Sequence, residues 1–280
     1  MWSRNKANLY IRDALDDFHC DPKALPSPIA QRKIYRNKLM LTHLVGFGGG
    51  SAPLTTLSYN FASTGSLSVG DHSDWTLGGD NFVMEMRVRW IGAAHTGATH
   101  FITHWGVAGK RGFKWDWDGD NNNMRFVYTT NGTDMTIPSW SWTPSADTWY
   151  AIALARTTTN LRAYVDGSEI GSTFDISTDS IFNSDRILSI NNMSQGGGAK
   201  ADFVDEIRIS DVNRSYSGAT YTVASEEFTS DANTTLLIHC NETIASGTTG
   251  SQATFVDSGN TGHTVTETLD AIRSSDQFVF

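Results

Sequence analysis

The sequence contains little cysteine, little proline and no long apolar segment. Its two cysteines, Cys20 and Cys240, are 220 positions apart in a chain of 280 residues, which gives neither a disulfide framework nor the thiolates of a zinc site. The longest aliphatic run, Ala151 to Ala155, is far too short for a transmembrane helix. The N-terminal segment is charged throughout and lacks the apolar stretch of a secretory signal. We therefore expect no membrane insertion, no signal peptide and two free buried thiols.

Positive charge is also scarce. The chain has 21 Lys and Arg residues against 30 Asp and Glu residues, a net charge of −9, opposite in sign to a nucleic-acid-binding protein. Glycine (25 residues), the aromatic residues (11%) and Ser with Thr, about a fifth of the chain, are instead abundant. This composition is typical of a β-sheet protein with many turns, and it argues against general disorder.

Charge and pattern both change near residue 50. Residues 1–45 contain eight basic and four acidic residues, a net charge of +4, which leaves −13 for the remainder. Apolar residues recur there at helical spacing, and Ser27-Pro28 is a typical helix start. Such short helices bury too little surface to be stable alone, so residues 1–45 predict a helical or extended arm that docks onto another protein.

The basic side chains of this arm are the expected assembly contacts, with a solvated helix face or a nucleic-acid backbone as the alternatives. Residues 46–53 form a glycine-rich joint, which lacks the Gly-Lys-Ser/Thr sequence of a phosphate-binding loop. The assembly residues are Arg32, Lys33, Arg36 and Lys38.

From Leu54 onward apolar and polar residues alternate, which is the period of β-strands. The clearest examples are 82–90, 113–118 and 125–128, and the sequence GDNNN at 119–123 predicts a hairpin loop between the last two. Many short strands separated by Gly, Asn and Asp favour an all-β sandwich or jelly roll over residues 54–280.

Three segments, 65–90, 141–171 and 187–211, resemble the laminin-G-like, concanavalin A-like lectin and glucanase jelly roll. The most specific parts are the strand from Trp149 to Arg156, the Tyr-Val-Asp-Gly hairpin that follows it, and the strand Asp-Glu-Ile-Arg-Ile-Ser from Asp205. The resemblance covers residues 59–212 and is closest to the versions found in bacteriophage virion proteins. It implies a two-sheet sandwich and, by itself, no activity.

The C-terminal segments 233–242 and 255–270 resemble the segments that usually open such a domain. Either a second unit is truncated here, or the opening strands have moved to the end of the chain. Because a truncated unit would lack a sheet partner, we expect the strands of 233–280 to complete the same sandwich or that of a neighbouring chain.

Glucanases with this fold carry two carboxylates at alternate positions of one strand. We identify no such strand: Glu85 stands alone, Asp205 and Glu206 are adjacent, and Asp116 and Asp118 are interpreted as part of an exposed hairpin. The sequence also lacks a Gly-x-Ser-x-Gly elbow. We therefore predict no enzyme and no catalytic residue.

Metal binding is not assigned from the sequence. Asp116, Asp118 and Asp120 have the spacing of hard-cation ligands, but an EF-hand would require glycine at position 121 and glutamate at 127, where the chain has Asn and Val. The resemblance allows a calcium site on the rim of the fold, without assignable ligands, and we expect no other cofactor. His100 and His104 share strand parity but would lie about 13 Å apart. His239 and His263 have no partner nearby in sequence, and all histidines are interpreted as structural.

Tryptophan offers the candidate ligand-binding residues. Trp140 and Trp142 are two positions apart, so they share a face, and they precede Pro144 in a turn-rich stretch. Exposed, they would stack on a sugar; the alternative is that they fill the core. Trp75, Trp90 and Trp149 are expected in the core.

The favoured function is a virion structural protein, a capsid decoration or a tail or head fibre component. It would display a lectin-like domain on the outer surface for attachment or particle stabilisation. Residues 1–50 would bind other virion proteins, within an assembly that contains the protein as a homo-oligomer, and host-surface glycans are expected partners. The alternatives are a cellular carbohydrate-binding adhesin, disfavoured by the missing signal, and a glycoside hydrolase, disfavoured by the missing carboxylate strand.

Overall fold

The computed structural model describes residues 58–60, 65–92, 94–193, 200–240, 255–268 and 272–274. The chain divides into two units, Met1–Pro53 and Leu54–Phe280, and every described residue belongs to the second. The predicted arm 1–45 with its four basic assembly residues, the joint 46–53 and Cys20 lie outside the described residues. No helix in the described part of the chain is long and apolar enough to span a membrane.

Regular structure in the described residues consists of strands and one short 3-10 helix, Ser73–Trp75. This confirms the predicted all-β class. The strands are β1 (Ser58–Asn60), β2 (Ser66–Val69), β3 (Phe82–Arg89), β4 (Ala98–His104), β5 (Phe113–Asp118), β6 (Asn123–Thr129), β7 (Met135–Thr136), β8 (Ser139–Ser141), β9 (Tyr150–Thr157), β10 (Asn160–Val165), β11 (Ser168–Glu169), β12 (Phe174–Asp175), β13 (Leu188–Ile190), β14 (Phe203–Ser210), β15 (Thr234–Ile238), β16 (Val265–Thr268) and β17 (Ile272–Ser274).

The described strands form two antiparallel sheets, one of nine strands and one of eight. The nine-stranded sheet has the order β11-β10-β9-β3-β14-β1-β17, with β12 beside β10 and β15 beside β14. The eight-stranded sheet has the order β16-β2-β13-β4-β5-β6-β7, with β8 also paired to β6. Strands that are distant in sequence lie side by side in both sheets, as in a two-sheet jelly roll.

The core lies between the two sheets and follows from the alternation in sequence. In β5, Phe113, Trp115 and Trp117 are buried in the core, while the residues between them face outward. Trp90, which directly follows β3 of the nine-stranded sheet, packs against aromatic side chains of the eight-stranded sheet, with its ring centroid 5.6 Å from that of Trp117 and 6.3 Å from that of Phe101. Such pairs stabilise the core by about 0.5–1.5 kcal/mol each beyond their buried area.

The outer face of the nine-stranded sheet is covered by the chain that follows β14. Tyr216 and Tyr221 stack on one another with ring centroids 3.9 Å apart, and both pack against Tyr164 of β10. Further along, the Phe228 ring lies 3.9 Å from the Arg208 guanidinium carbon. This covering segment, residues 211–231, gives the nine-stranded sheet packed side chains on both faces.

The C-terminal strands belong to the same two sheets as the rest. Strand β15 pairs with β14 in the nine-stranded sheet, and β16 pairs with β2 at the edge of the eight-stranded sheet. Strand β17 pairs with β1. The segment that resembles the opening of such a domain therefore contributes strands to both sheets of this sandwich.

A β-bulge in β4 overturns the predicted parity of its two histidines. The register with β5 shifts between His100 and Ile102, so His100 lies opposite Asp116 on the outer face, whereas His104 lies opposite Phe113. The parity prediction was wrong because the bulge inserts one residue, and each inserted residue exchanges the two faces of a strand.

A polar sheet face as the candidate functional site

The outer face of the eight-stranded sheet carries a cluster of charged side chains at its centre, which we call the polar face. Its residues occupy neighbouring positions of three strands, because His100 pairs with Asp116 in the sheet register and Asp116 pairs with Arg125. The alternation that buries three aromatic side chains of β5 directs the intervening residues outward. The polar face consists of His100, Lys114, Asp116, Asp118 and Arg125.

Arg125 connects the two carboxylates of β5. Its Nε and Nη2 donate to the two oxygens of Asp116 at 2.8 and 3.1 Å, and its Nη1 donates to Oδ2 of Asp118 at 2.6 Å. Asp116 is fully buried, whereas the Arg125 side chain keeps 21% of its exposure. Two further basic groups face Asp116 Oδ2: Nδ1 of His100 at 3.4 Å and Nζ of Lys114 at 3.7 Å.

These contacts keep the buried carboxylate charged. Burial alone would raise the pKa of Asp116, but His100, Arg125 and Lys114 together outweigh it, and the pKa is lowered. Burial lowers the pKa of Lys114, with Asp116 opposing it. The pKa of Arg125 is raised, because its two carboxylate partners outweigh its own burial. The polar face therefore holds an ionised acceptor beside ionised donors.

Trp105 borders the polar face. Nζ of Lys114 lies 5.4 Å from the Trp105 ring centroid, and the Arg111 guanidinium carbon lies 5.8 Å from it. Both separations are those of cation–π contacts, which fix the direction of the two cationic side chains. On the opposite side, Ser139 is paired with Arg125 and Ser141 with Asn123, and both serines are exposed. Accessible hydroxyl and amide groups therefore lie beside the network in the sheet.

The polar face corrects the interpretation of Asp116 and Asp118 as part of an exposed hairpin. They are two carboxylates on one face of one strand, the arrangement that we did not identify from sequence. The alternation of 113–118 already places both carboxylates on one face, and what the sequence does not show is that Arg125, on the next strand, would bind them there. Both accept from that one guanidinium, and the pKa of Asp116 is lowered, whereas a glycosidase acid requires a raised one.

A carboxyl group with a strongly raised pKa does occur in the described residues, but on the other sheet. Burial, with the nearby charges of Glu206 and Glu227, raises the pKa of Asp205 well above its usual value. Asp205 lies opposite Arg87 in β3, on the sheet that the covering segment packs against. Asp205 therefore lies on a different sheet from Asp116 and Asp118 and does not form a pair of acids with them.

The two tryptophans predicted to bind a ligand both pack toward the core. Trp140 is 2% exposed, pairs with the core residue Met124, and donates from Nε1 to the Ser172 carbonyl at 2.8 Å. A ring in this position offers no face to a sugar, so sugar stacking on Trp140 is excluded in this structure. Trp142 is half-buried, with its ring 5.2 Å from that of Tyr150, and its sugar contact stays a prediction.

The tryptophans assigned to the core are mostly found there. Trp75 and Trp90 are buried in it, as predicted. Trp149 differs: it is half-buried, and its ring packs 6.1 Å from that of Phe203. It lies one residue before β9, which begins at Tyr150.

The aspartates with hard-cation spacing do not converge on a cation. Asp116 and Asp118 are bound to Arg125, and Oδ1 of Asp120 accepts from the Gly97 amide at 3.1 Å. Two other groups of described residues bring potential ligand atoms within 4.8 Å of one another. They are His72, Asp74 and His263, and Glu206, Glu227 and His239. Sequence reasoning missed both groups because their members are far apart in the chain, and a rim calcium site stays a prediction.

Comparisons with known proteins indicate the fold. No family model and no curated protein matches the chain. Among solved structures, a candidate carbohydrate-binding protein from Bacteroides ovatus ATCC 8483 matches with a TM-score of 0.52 and 16% identity, over 78% of this chain and 61% of that one. The matched part thus spans less than two thirds of that protein.

Two other solved structures match with lower scores. A heptameric SAP-like pentraxin from Limulus polyphemus has a TM-score of 0.43 and 11% identity, over 59% of this chain and 81% of its own. The carbohydrate-binding module CBM66 from Bacillus subtilis has a TM-score of 0.32 and 16% identity, over 44% and 71%. Sheet topology and the first comparison together show that the described part of the chain is a concanavalin A-like two-sheet β-sandwich of the jelly-roll type.

Proposed function

We propose that this protein is a lectin-like carbohydrate-binding protein, and that it binds sugars on the polar face without cleaving them. The observation that carries the proposal is the Asp116–Arg125–Asp118 network, an ionised and rigid set of donors and acceptors on an outer sheet face. The fold shared with the Bacteroides ovatus candidate carbohydrate-binding protein supports it.

The chemistry of the network suits sugar hydroxyls. Each hydroxyl both donates and accepts a hydrogen bond, so neighbouring hydroxyls are complemented by accessible hydroxyl and amide groups beside a partly exposed guanidinium. The buried Asp116 holds that guanidinium in place. The side chains are already held by one another before a ligand arrives, which reduces the entropy lost on binding. Lys114 and Arg125 are the partly accessible members of the polar face, and Asn123, Ser139 and Ser141 border it.

The same network supports binding over hydrolysis. Hydrolysis of a glycosidic bond requires one carboxyl group that is protonated and a second that is ionised. Arg125 binds both carboxylates of β5, and its contacts help to lower the pKa of Asp116, which favours the ionised form of that carboxyl group. We therefore infer that the polar face binds a sugar without supplying a proton to it.

A glycan array probed with the full-length protein, followed by calorimetry with the best ligand, tests this function. Asn123→Ala and the double variant Ser139→Ala/Ser141→Ala remove partly or fully exposed polar groups that border the polar face, and they should weaken binding by about 5–30-fold, the effect of about 1–2 kcal/mol. Ser217→Ala, an exposed serine of the covering segment, is the matched control. If no array glycan binds, or if the control weakens binding equally, the proposed site is wrong.

The virion role rests on the sequence alone. The reversal of charge at residue 50 and the glycine-rich joint support an arm that anchors a displayed lectin domain to other virion proteins, on the outer surface of a particle. Deleting residues 1–50 should leave a folded sandwich that no longer joins its assembly. Normal incorporation of the truncated protein into particles would rule out the arm as the anchor.

A further inference from the structure

We propose that His72, Asp74 and His263 bind one transition metal ion of the zinc class, and that the ion fastens the C-terminal segment to the sandwich. This metal site is separate from the polar face and does not depend on the proposed sugar binding.

The sheet topology brings the three residues together from opposite ends of the described chain. His72 and Asp74 lie at the 3-10 turn Ser73–Trp75, which follows β2. His263 precedes β16, and β16 pairs with β2 so that Val265 lies opposite Val69. The two chain segments therefore meet where β2 ends and β16 begins, although 189 positions separate Asp74 from His263.

The ligand atoms lie at distances that one ion can span. Oδ1 of Asp74 is 2.9 Å from Nδ1 of His72, and Oδ2 is 3.0 Å from Nε2 of His263. All three residues contribute a potential ligand atom within 4.8 Å of the others. Ligands bound to zinc at about 2.0–2.2 Å lie roughly 3–3.5 Å apart in a tetrahedral site, so small side-chain adjustments would complete the coordination.

The contacts of His72 place the lone pair of its Nδ1 beside a carboxylate. Its Nδ1 accepts from the backbone amide of Asp74 at 3.2 Å, yet the same atom faces the Asp74 carboxylate at 2.9 Å. One ring nitrogen cannot accept the first hydrogen bond and donate the second. A metal ion bound to Nδ1 would replace the amide hydrogen at the single lone pair of that nitrogen and would place positive charge beside the Asp74 carboxylate.

The surroundings hold the ligands in place. The His263 ring lies 4.7 Å from the Trp75 ring, and its side chain is only 7% exposed. The backbone amide of His263 donates to Oδ2 of Asp257, and Thr261 Oγ1 donates to Oδ2 of Asp74 at 2.7 Å. Outer contacts of this kind fix ligand orientation in metal sites.

The donor set selects the class of metal. Two imidazole nitrogens and one carboxylate suit zinc, nickel or copper, whereas calcium and magnesium prefer oxygen ligands alone. The His72 side chain is 42% exposed, so water can reach the site and fill the remaining position. The rival group, Glu206 with Glu227 and His239, has one nitrogen, and Glu206 already accepts from the Phe228 amide at 2.7 Å.

The test uses the full-length protein after treatment with a chelator. Titration with Zn²⁺ followed by calorimetry should show one high-affinity equivalent per chain, and Co²⁺ should give the visible absorption of a site with nitrogen and oxygen ligands. His72→Gln and His263→Gln should each weaken zinc binding by at least about 100-fold, because loss of an outer contact alone costs about 10–100-fold. Zinc should also raise the midpoint of thermal unfolding, and should do so far less in both variants.

Two histidine variants serve as controls. His95→Gln changes a surface histidine that contacts Asp202, and His239→Gln changes the rival group; both should bind zinc as the unchanged protein does. His72 lies at an exposed turn, so its variant keeps the proposal testable if His263→Gln fails to fold. The proposal is overturned if no zinc binds, if His72→Gln binds normally, or if only His239→Gln loses binding. Sugar binding that persists without zinc would leave the proposed function intact.

Discussion

Replacing Arg125 by methionine should be among the most costly single changes on the polar face. The variant leaves Asp116 fully buried with its bidentate partner removed, and the remaining basic groups, His100 and Lys114, lie at 3.4 and 3.7 Å. Removing one partner of a buried ion pair costs about 3–5 kcal/mol of unfolding free energy. Because His100 and Lys114 still offset part of the charge of Asp116, we expect a loss of about 3 kcal/mol. For a domain of this size the midpoint of thermal unfolding should fall by about 6–12 °C.

The stability lost in the Arg125→Met variant should be smaller at low pH than at neutral pH. The pKa of Asp116 is lower in the folded protein than the value of about 3.9 in the unfolded chain. Its ion pair therefore contributes its full stability at pH values above about 3.9, and that contribution is lost as pH falls through the folded-state pKa. Urea unfolding of both proteins at pH 7 and pH 3 measures this, and the difference between them should narrow at pH 3. The double variant Arg125→Met/Asp116→Asn should recover part of the loss.

Lys110→Met is the matched control for this measurement, since Lys110 pairs with Asp185 on the surface. Both of those side chains are about half exposed, and such pairs contribute about 0–1 kcal/mol. If Arg125→Met costs no more than Lys110→Met, or costs the same at both pH values, the account of the polar face as a buried ionic network is refuted.

Three further predictions concern the core and the covered sheet face. Trp140→Ala should destabilise the protein by about 3–5 kcal/mol in urea unfolding, because it empties a packed core position; a loss below about 1 kcal/mol would place the ring outside the core. Tyr216→Phe removes the 2.8 Å hydrogen bond to buried Glu85 and should cost about 1–3 kcal/mol by the same measurement, and an unchanged stability would contradict that bond. Burial raises the pKa of Tyr164 to about 12, so the unfolding free energy should decrease as pH rises above about 10, because the tyrosine of the unfolded chain ionises there first. A tyrosinate absorbance titration of the folded protein checks the raised pKa. Ionisation of every tyrosine near about pH 10 would disprove it.

The fold was predictable because its strongest evidence is local. The alternation in β5 and β6 places Trp115, Trp117 and Phe126 on one face whatever the rest of the chain does, and the loop 119–123 joins the two strands. Many strands that each have one apolar face can bury those faces by forming two sheets that pack around a common core. The class of fold therefore required no knowledge of which strands pair.

The candidate sites were not predictable because they depend on pairing and register. The burial of Asp116 requires Arg125 to lie opposite it, and the outward position of His100 requires a bulge that no residue type announces. His263 meets Asp74 only through the pairing of β16 with β2. Trp140 shows the reverse error, since its turn-rich sequence indicated exposure while the pairing of β8 with β6 buried it.

The two outer sheet faces use similar ion pairs with different surroundings, and this contrast supports the polar face as the binding surface. On the nine-stranded sheet Arg208 pairs with Glu85, and Tyr216 and Phe228 of the covering segment pack over that pair. On the eight-stranded sheet Arg125 pairs with Asp116 and keeps twice the exposure of Arg208, 21% against 10%.

Buried ion pairs are often no more stabilising than apolar residues of the same size, so stability alone does not explain a charged network on a sheet face. The Glu85 pair has an evident structural role, because it holds the covering segment through Tyr216. The Asp116 pair is not covered in this way, and Arg125 lies opposite the exposed Ser139 in the sheet. A ligand rich in hydroxyl groups would give this second network the partner that the covering segment gives the first.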